Sequence, residues 1–306
     1  MSVLYSILKV LSVVVTSLAM MFYGGSSHEQ HSVKDAENIK LNFTVLSDAH
    51  IEGNNPDTYE VFTKILYDVK NTSTPNDALV MLGDNTMNGQ HIESVFFYGL
   101  ESVIAPAENI INVMGNHDTG NGTDVYNECV SKYLGYNNAF FDADISNVYY
   151  TKIIDGYYFI ILGSEMDGVD YCHMSDEQYF WLKAELDKAC SEEKPVFVLN
   201  HHPDFLIDCN YSVPELLNSY KNIFYFYGHT HWPLSNYSTF IDNGNYFTVN
   251  LPRCTDILHE DGDELDDYSG IGMQVEVYEN EVVMRMRNCY DGGWIEEYER
   301  TVSIEK

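Results

Sequence analysis

Positive charge is scarce in this chain. Sixteen lysines and arginines face 47 aspartates and glutamates across 306 residues, a formal net charge of −31. A surface so acidic repels nucleic-acid backbones and anionic lipid, which excludes functions built on a broad basic footprint. Any phosphate-bearing ligand has to be drawn in locally, by bound cations. No Cys-x-x-Cys pair occurs among Cys129, Cys172, Cys190, Cys209, Cys254 and Cys289, which sets aside zinc ribbons and thioredoxin-like motifs. In an oxidising compartment the six cysteines can pair as disulfides; reduced, they pack as small hydrophobes. No internal repeat and no interior linker is visible, so one domain over residues 40–306 is the simplest division. The 45% hydrophobic content, with 14% aromatic, is ample for a globular core.

The N-terminus reads as an address. Lys9 is the only charged side chain before the apolar run from Val10 to Tyr23, the pattern of a secretory leader over residues 1–25. If Leu4–Tyr23 counts as one stretch, it approaches the roughly 20 residues that span a bilayer, and an uncleaved anchor is the alternative. Residues 26–39 then read as a linker. The expected location is secreted or extracytoplasmic, with a membrane tether where the leader is retained. Asn42, Asn71, Asn121, Asn210 and Asn236 begin N-x-[ST] sequons, which matter only in a host that glycosylates exported proteins.

Further along, strands are expected at Leu41–Leu46, Ala78–Leu82, Ile110–Met114, Val196–Leu199 and Ile223–Tyr227. Tyr149–Ile153 and Tyr157–Leu162 flank Asp155-Gly156, a hairpin signal. A second hairpin is expected from Gly272–Tyr278 and Val282–Arg287. Helices are expected over Asp57–Lys70 and Ser175–Cys190, with Asp57/Glu60 and Ser175/Gln178 as capping boxes. The alternation of strand, loop and helix, followed by a β-rich final third, indicates a layered α/β or α+β domain.

Five short motifs follow these apolar runs: Asp48-Ala49-His50, Gly83-Asp84-Asn85, Gly115-Asn116-His117-Asp118, Asn200-His201-His202-Pro203 and Gly228-His229-Thr230-His231. Chemistry in open α/β sheets gathers beyond the carboxyl ends of the strands, so motifs far apart in sequence can converge on one rim. Asp48, His50, Asp84, Asn116, His201, His229 and His231 offer carboxylate, amide and imidazole donors without a cysteine, a set that accepts Fe, Mn or Zn. One shared carboxylate, Asp84, can bridge two ions about 3.5–4 Å apart, the arrangement that polarises a phosphate ester and activates a water. His117, beside Asn116, is then placed to protonate the leaving alkoxide.

In these motifs, over about residues 41–232, the chain resembles the calcineurin-like metallophosphoesterases. The resemblance implies a β-sandwich of two mixed sheets flanked by helices. It implies that Asp48, His50, Asp84 and His231 hold a first metal ion, and that Asp84, Asn116, His201 and His229 hold a second. It makes His117 the catalytic histidine. In the family's H-x-P motif the first histidine is the ligand, which selects His201 and leaves His202 to support the site or face substrate, with Asn116 also contacting the phosphate. The protein-phosphatase branch carries G-D-x-x-D-R, and here Met87 replaces the second aspartate, so Asp118 either orients His117 instead or is a surface carboxylate. The purple acid phosphatase branch has a tyrosine ligand where this chain has Met87. The expected function is therefore an exported dinuclear-metal hydrolase that cleaves small phosphate mono- or diesters, or phospholipid-like ones, by attack of a hydroxide shared between the ions. A non-catalytic scaffold on the same fold is the alternative. Asn88, His91, His173, Asp204 and His259 are expected to be solvated loop residues, Tyr149, Tyr150, Tyr157 and Tyr158 to pack on strands, and Glu260–Asp267 to be a solvated acidic loop.

Overall fold

The computed structural model describes residues 30–121, 125–255 and 270–305, together with Tyr5, Ile7, Lys9, Val10, Leu11 and Val14. Its strands are β1 (Leu41–Leu46), β2 (Asn76–Met81), β3 (Ala107–Asn112), β4 (Tyr150–Ile154), β5 (Tyr157–Ile161), β6 (Cys172–His173), β7 (Val196–Leu199), β8 (Ile207–Asp208), β9 (Ile223–Tyr227), β10 (Phe240–Asp242), β11 (Tyr246–Asn250), β12 (Ile271–Val277), β13 (Glu281–Asn288), β14 (Gly293–Trp294) and β15 (Arg300–Ser303). The helices are α1 (Pro56–Lys70), α2 (His91–Ile104), α3 (Tyr126–Phe141), α4 (Asp176–Ala189) and α5 (Val213–Leu217).

The strands form two mixed sheets and, apart from them, a two-stranded parallel ribbon of β6 and β8. One is ordered β14-β13-β12-β1-β2-β3 with β15 on β13; the other is ordered β10-β11-β9-β7-β5-β4. In the first, β1, β2 and β3 run parallel; in the second, β5, β7, β9 and β11 do. Alternation along each strand explains the continuous apolar runs. Leu41, Phe43, Val45, Ala78 and Val80 point between the sheets, where Phe43 meets Phe197 edge-on at 4.8 Å and Phe159 at 5.0 Å. Leu46, Leu79 and Met81 point outward under α1, α2 and α3. On the far side, Ile160, Val198 and Tyr225 are covered by α4 and α5. A sheet buried on both faces needs apolar residues at every position. The result is the expected sandwich of two mixed sheets flanked by helices.

Local chemistry sets the boundaries. Asp155 and Gly156 both have positive φ, as a two-residue hairpin between β4 and β5 requires. The cap of α1 differs from expectation: Asn55, not Asp57, is the N-cap, its side chain accepting from Asp57 N at 3.2 Å, and Pro56 takes the first helical position where its missing N–H costs nothing. Ser175 does cap α4 by accepting from Gln178 N, but the Gln178 side chain turns to Gly163 and Glu165 instead of returning to the cap. Of the segment read as a linker, residues 30–39 are described, and His31 and Val33 are buried against the body. Further back, Tyr5 sits edge-on to Tyr136 and Lys9 Nζ donates to Ala139 O, both on α3. Among the described residues no helix is long and apolar enough to cross a membrane. The Asn42 sequon is on β1 with its side chain buried. All six cysteines are free thiols.

Candidate metal centre

Every motif lies just past the carboxyl end of a parallel strand: Asp48 and His50 after β1, Asp84 after β2, Asn116 and His117 after β3, His201 after β7, His229 and His231 after β9. Both sheets therefore deliver their strand ends to one rim. Asp48, His50, Asp84, His229 and His231 all have positive φ, between 42° and 65°. Left-handed backbone costs a side-chain-bearing residue roughly 1–2 kcal/mol. Five such residues in one place mark a site whose geometry the surrounding fold imposes.

Two donor sets result. In the first, His231 Nε2 lies 3.0 Å from Asp48 Oδ1 and 3.2 Å from His50 Nε2, and His50 Nε2 lies 3.6 Å from Asp84 Oδ2. These four groups are within 4.8 Å of one another. In the second, Asn116 Oδ1 lies 3.0 Å from His201 Nε2 and 2.9 Å from His229 Nδ1, and His201 Nε2 lies 3.2 Å from Asp84 Oδ2. Asp84 Oδ2 belongs to both. Two imidazole nitrogens facing each other across 3.2 Å beside two carboxylates direct their lone pairs at a common centre, and nitrogen and oxygen donors of this kind suit Fe, Mn or Zn. The residues present fit a pair of ions with Asp84 between them.

The protonation pattern points the same way. Burial pushes the Asp84 carboxyl up, but His201 and His50 outweigh it and hold it well below the usual carboxylate range. Burial acts likewise on Asp48, and His231 and His50 overcome it. Burial pulls the His201 imidazole down, yet Asp84 and Asp48 lift it to about 9. Burial and the charge on His201 lower His229 to about 4. The cluster thus holds its carboxylates ionised.

The loops are braced by residues with no ligand role. The carboxylate of Asp118 accepts from Gly115 N at 3.0 Å, Asn85 N at 3.1 Å, Asn85 Nδ2 at 3.1 Å, Thr86 N at 2.9 Å and Thr86 Oγ1 at 2.8 Å. It is buried and ties the Asp84 loop to the Asn116 loop. Asp118 therefore is neither a surface carboxylate nor the group that orients His117. His117 Nδ1 donates to Met87 O at 2.7 Å instead, which leaves Nε2, 4.0 Å from Asp84 Oδ2, facing the site. Asn116 Nδ2 lies 3.4 Å from Asn121 Oδ1, and that contact turns the amide oxygen toward His201 and His229. From sequence Asn85 stood only as the last residue of Gly83-Asp84-Asn85 and Asn121 only as a sequon, and Thr86 was not singled out.

His201 is the member of its pair that reaches the donor sets. Of the two readings of His202, its position fits support of the site and not contact with substrate: it is 2% exposed and packs under His229 with ring centroids 4.3 Å apart, because consecutive residues leaving a strand point to opposite sides. Asn88 pairs with Glu93, His91 with Tyr136 and His173 with Asp208, all outside the donor sets. Asp204 is not solvated; it is buried and accepts from Tyr246 Oη at 2.7 Å. Tyr150 and Tyr157 pack against the core between the sheets, and Tyr149 packs on Trp181. His259 and Glu260–Asp267 lie outside the described residues.

The family model for calcineurin-like phosphoesterases matches residues 41–233, which span all five motifs. The chain belongs to the calcineurin-like phosphoesterase family. No curated protein matches it. Among solved structures it is similar to a dimetal phosphatase from Danio rerio, with TM-score 0.60 and 13% identity over 88% of this chain and 100% of that one. It is also similar to a purple acid phosphatase from yellow lupin, with TM-score 0.57 and 14% identity over 86% of this chain and 53% of that one. A third is GAP50, the anchor in the inner membrane complex of Plasmodium, with TM-score 0.50 and 14% identity over 88% and 90%. At such identities the likeness is one of fold. The family and the donor sets together support a metal-dependent phosphoesterase.

Proposed function

We propose that this calcineurin-like phosphoesterase is an exported hydrolase of phosphate esters that works with two metal ions. The observation that carries the reading is the pair of donor sets sharing Asp84 Oδ2, with His117 Nε2 at their edge. Two ions in such a site would polarise the phosphate oxygens and lower the pKa of a shared water. Asp48, His50 and His231 hold one side of the site; Asn116, His201 and His229 hold the other. With its Nδ1 hydrogen committed to Met87 O, His117 presents Nε2 to the substrate. As the water oxygen bonds to phosphorus and the ester P–O bond breaks, Nε2 gives its proton to the departing alkoxide. The side chain of His117 is 20% exposed, so a bound ester can reach it. Export is supported by the apolar run after Lys9 and by the acidic balance of the chain.

The test is hydrolysis of matched monoester and diester substrates, with alkyl and nitrophenyl leaving groups, by metal-loaded wild type and His117→Ala. The variant is expected to keep its fold and metal and to lose about 10²–10⁴-fold in turnover, most with the alkyl leaving groups that need a proton. Normal turnover on alkyl esters would remove His117 from the mechanism. A scaffold role, like that of the GAP50 anchor, is the second reading. The completeness of both donor sets weighs against it, and it would gain if the metal-loaded wild type hydrolysed none of the four substrates.

A further inference from the structure

Two loops beside the donor sets carry apolar side chains into solvent. β5 and β7 run parallel, so the segment that follows β5 leaves the sandwich at the same rim as His201. In that segment Met166, Val169 and Tyr171 are between 44% and 60% exposed, and Phe205, just beyond His202-Pro203, is 59% exposed. The ribbon of β6 and β8 brings the two loops together. It pairs Cys172 with Ile207 in parallel, so Tyr171 and Phe205 both lie at its entry. The tip of the first loop is tied to the site. Thr119 Oγ1 lies 3.2 Å from Asp167 Oδ1 and 2.8 Å from Asn116 O. Asp167, next to Met166, therefore rests against the loop that carries Asn116 and His117. The base of the first loop is fixed as well: Tyr126 Oη donates to Ser164 O at 2.7 Å, and Ser164 Oγ donates to Met166 O at 2.8 Å. Residues 163–175 and 203–212 include Glu165, Asp167, Asp170, Asp204 and Asp208 and neither a lysine nor an arginine.

Apolar side chains gathered on the surface gain free energy when something covers them. The place of His117 says what that is. His117 gives its proton to the departing alkoxide, and it sits on the loop that Asp167 touches, so the carbon skeleton of the alkoxide lies on the side of Met166 and Phe205. We propose that Met166, Val169, Tyr171 and Phe205 form a leaving-group subsite that takes an apolar, uncharged alcohol, an inference that rests on the phosphoesterase reading. A thioether and two aromatic rings adapt to aliphatic chains and to rings alike. With acidic residues and no cation in either segment, a leaving group that carries its own phosphate or carboxylate is repelled.

The experiment uses the metal-loaded full chain, comparing wild type with Met166→Ser and Phe205→Ser, one exposed substitution on each loop. Ethyl and hexyl phosphate, as monoesters and as methyl diesters, give kcat and KM, and a hexyl ester ending in a carboxylate tests the charge. Ethylphosphonate and hexylphosphonate, which cannot be hydrolysed, give affinity by calorimetry. Wild type is expected to prefer hexyl over ethyl by about 10- to 100-fold in kcat/KM and in phosphonate affinity, and to lose most of that gain when the chain ends in a carboxylate. Each variant should lower the hexyl-to-ethyl ratio, by about 10-fold for Phe205→Ser, chiefly through KM. Equal rates and affinities for hexyl and ethyl in wild type would overturn the proposal, as would a preference that survives in both variants. Binding to phosphatidylcholine vesicles that both variants abolish, with the hexyl preference intact, would also overturn it and make the loops a contact for a lipid surface. A wild type that hydrolyses no ester yet binds hexylphosphonate more tightly than ethylphosphonate, in a Phe205-dependent way, would keep the apolar subsite and sink the hydrolase reading.

Discussion

Replacing Asp118 with alanine removes one carboxylate and strands three buried backbone donors at once, the N–H groups of Gly115, Asn85 and Thr86. A buried donor left without an acceptor costs about 1–3 kcal/mol, so the three together cost roughly 3–9 kcal/mol. That is a large share of the typical 5–15 kcal/mol by which a domain is stable, and about 2 °C per kcal/mol gives a fall of roughly 6–18 °C in Tm. Asp118→Asn is milder. Its single oxygen can serve Gly115 and Asn85, and the Thr86 hydroxyl can reverse to accept from the new amide, which leaves one N–H stranded at about 1–3 kcal/mol. Thermal unfolding of the metal-free proteins should rank wild type above Asp118→Asn above Asp118→Ala. Both variants should also bind metal more weakly, because the loops they loosen carry Asp84 and Asn116. The reasoning fails if Asp118→Ala melts within about 2 °C of wild type. If such a variant also lost turnover mainly on poor leaving groups, the carboxylate would be acting through His117 after all.

Because Asp84 Oδ2 is common to both donor sets, Asp84→Ala should retain neither ion, whereas His231→Ala should retain one; metal per chain after desalting checks this, and equal stoichiometry in the two variants would contradict a shared carboxylate. Gly115→Ala would set a Cβ 2.2 Å from Asp84 N and 2.1 Å from Asp84 Oδ1, so it should displace Asp84, weaken metal binding and cost about 1–3 kcal/mol in chemical denaturation. The pH dependence of stability should show His31: burial, then the charge of Arg287, pushes its imidazole down to about 4, while the unfolded chain protonates near 6.5. The unfolded state then binds the extra proton first, so stability falls as pH drops from 6.5 toward 4 and the loss levels off below that. His31→Gln should lose less stability than wild type across that window, and parallel curves would refute the assignment.

Much of the fold was legible because strands buried on both faces leave long apolar runs, and each ligand motif starts where such a run stops. Two helices were not legible. α2 opens at Gln90 and α3 at Val125, neither a strong capping residue, and α3 carries Gly135 and three asparagines in its interior, so neither had a clear local start or a strong propensity. The cap of α1 was misplaced by two residues because Asp57-x-x-Glu60 resembles a capping box while Pro56, at the first helical position, puts the cap at Asn55.

The site divides along the same line. By itself the sequence determined the residue types and their order: seven metal donors and His117, each just past a strand, because ligand chemistry and strand ends are local properties. Only the tertiary structure decided which donors lie together, that Asp84 lies in both sets, that His117 leans on Met87 O, that Asp118 braces two loops and that His202 is buried under His229. Those relations depend on how the carboxyl ends of two separate sheets meet across the sandwich. Contacts between residues more than 100 positions apart, such as Asn116 with His229 or Asp48 with His231, are fixed by packing that no stretch of the chain encodes alone.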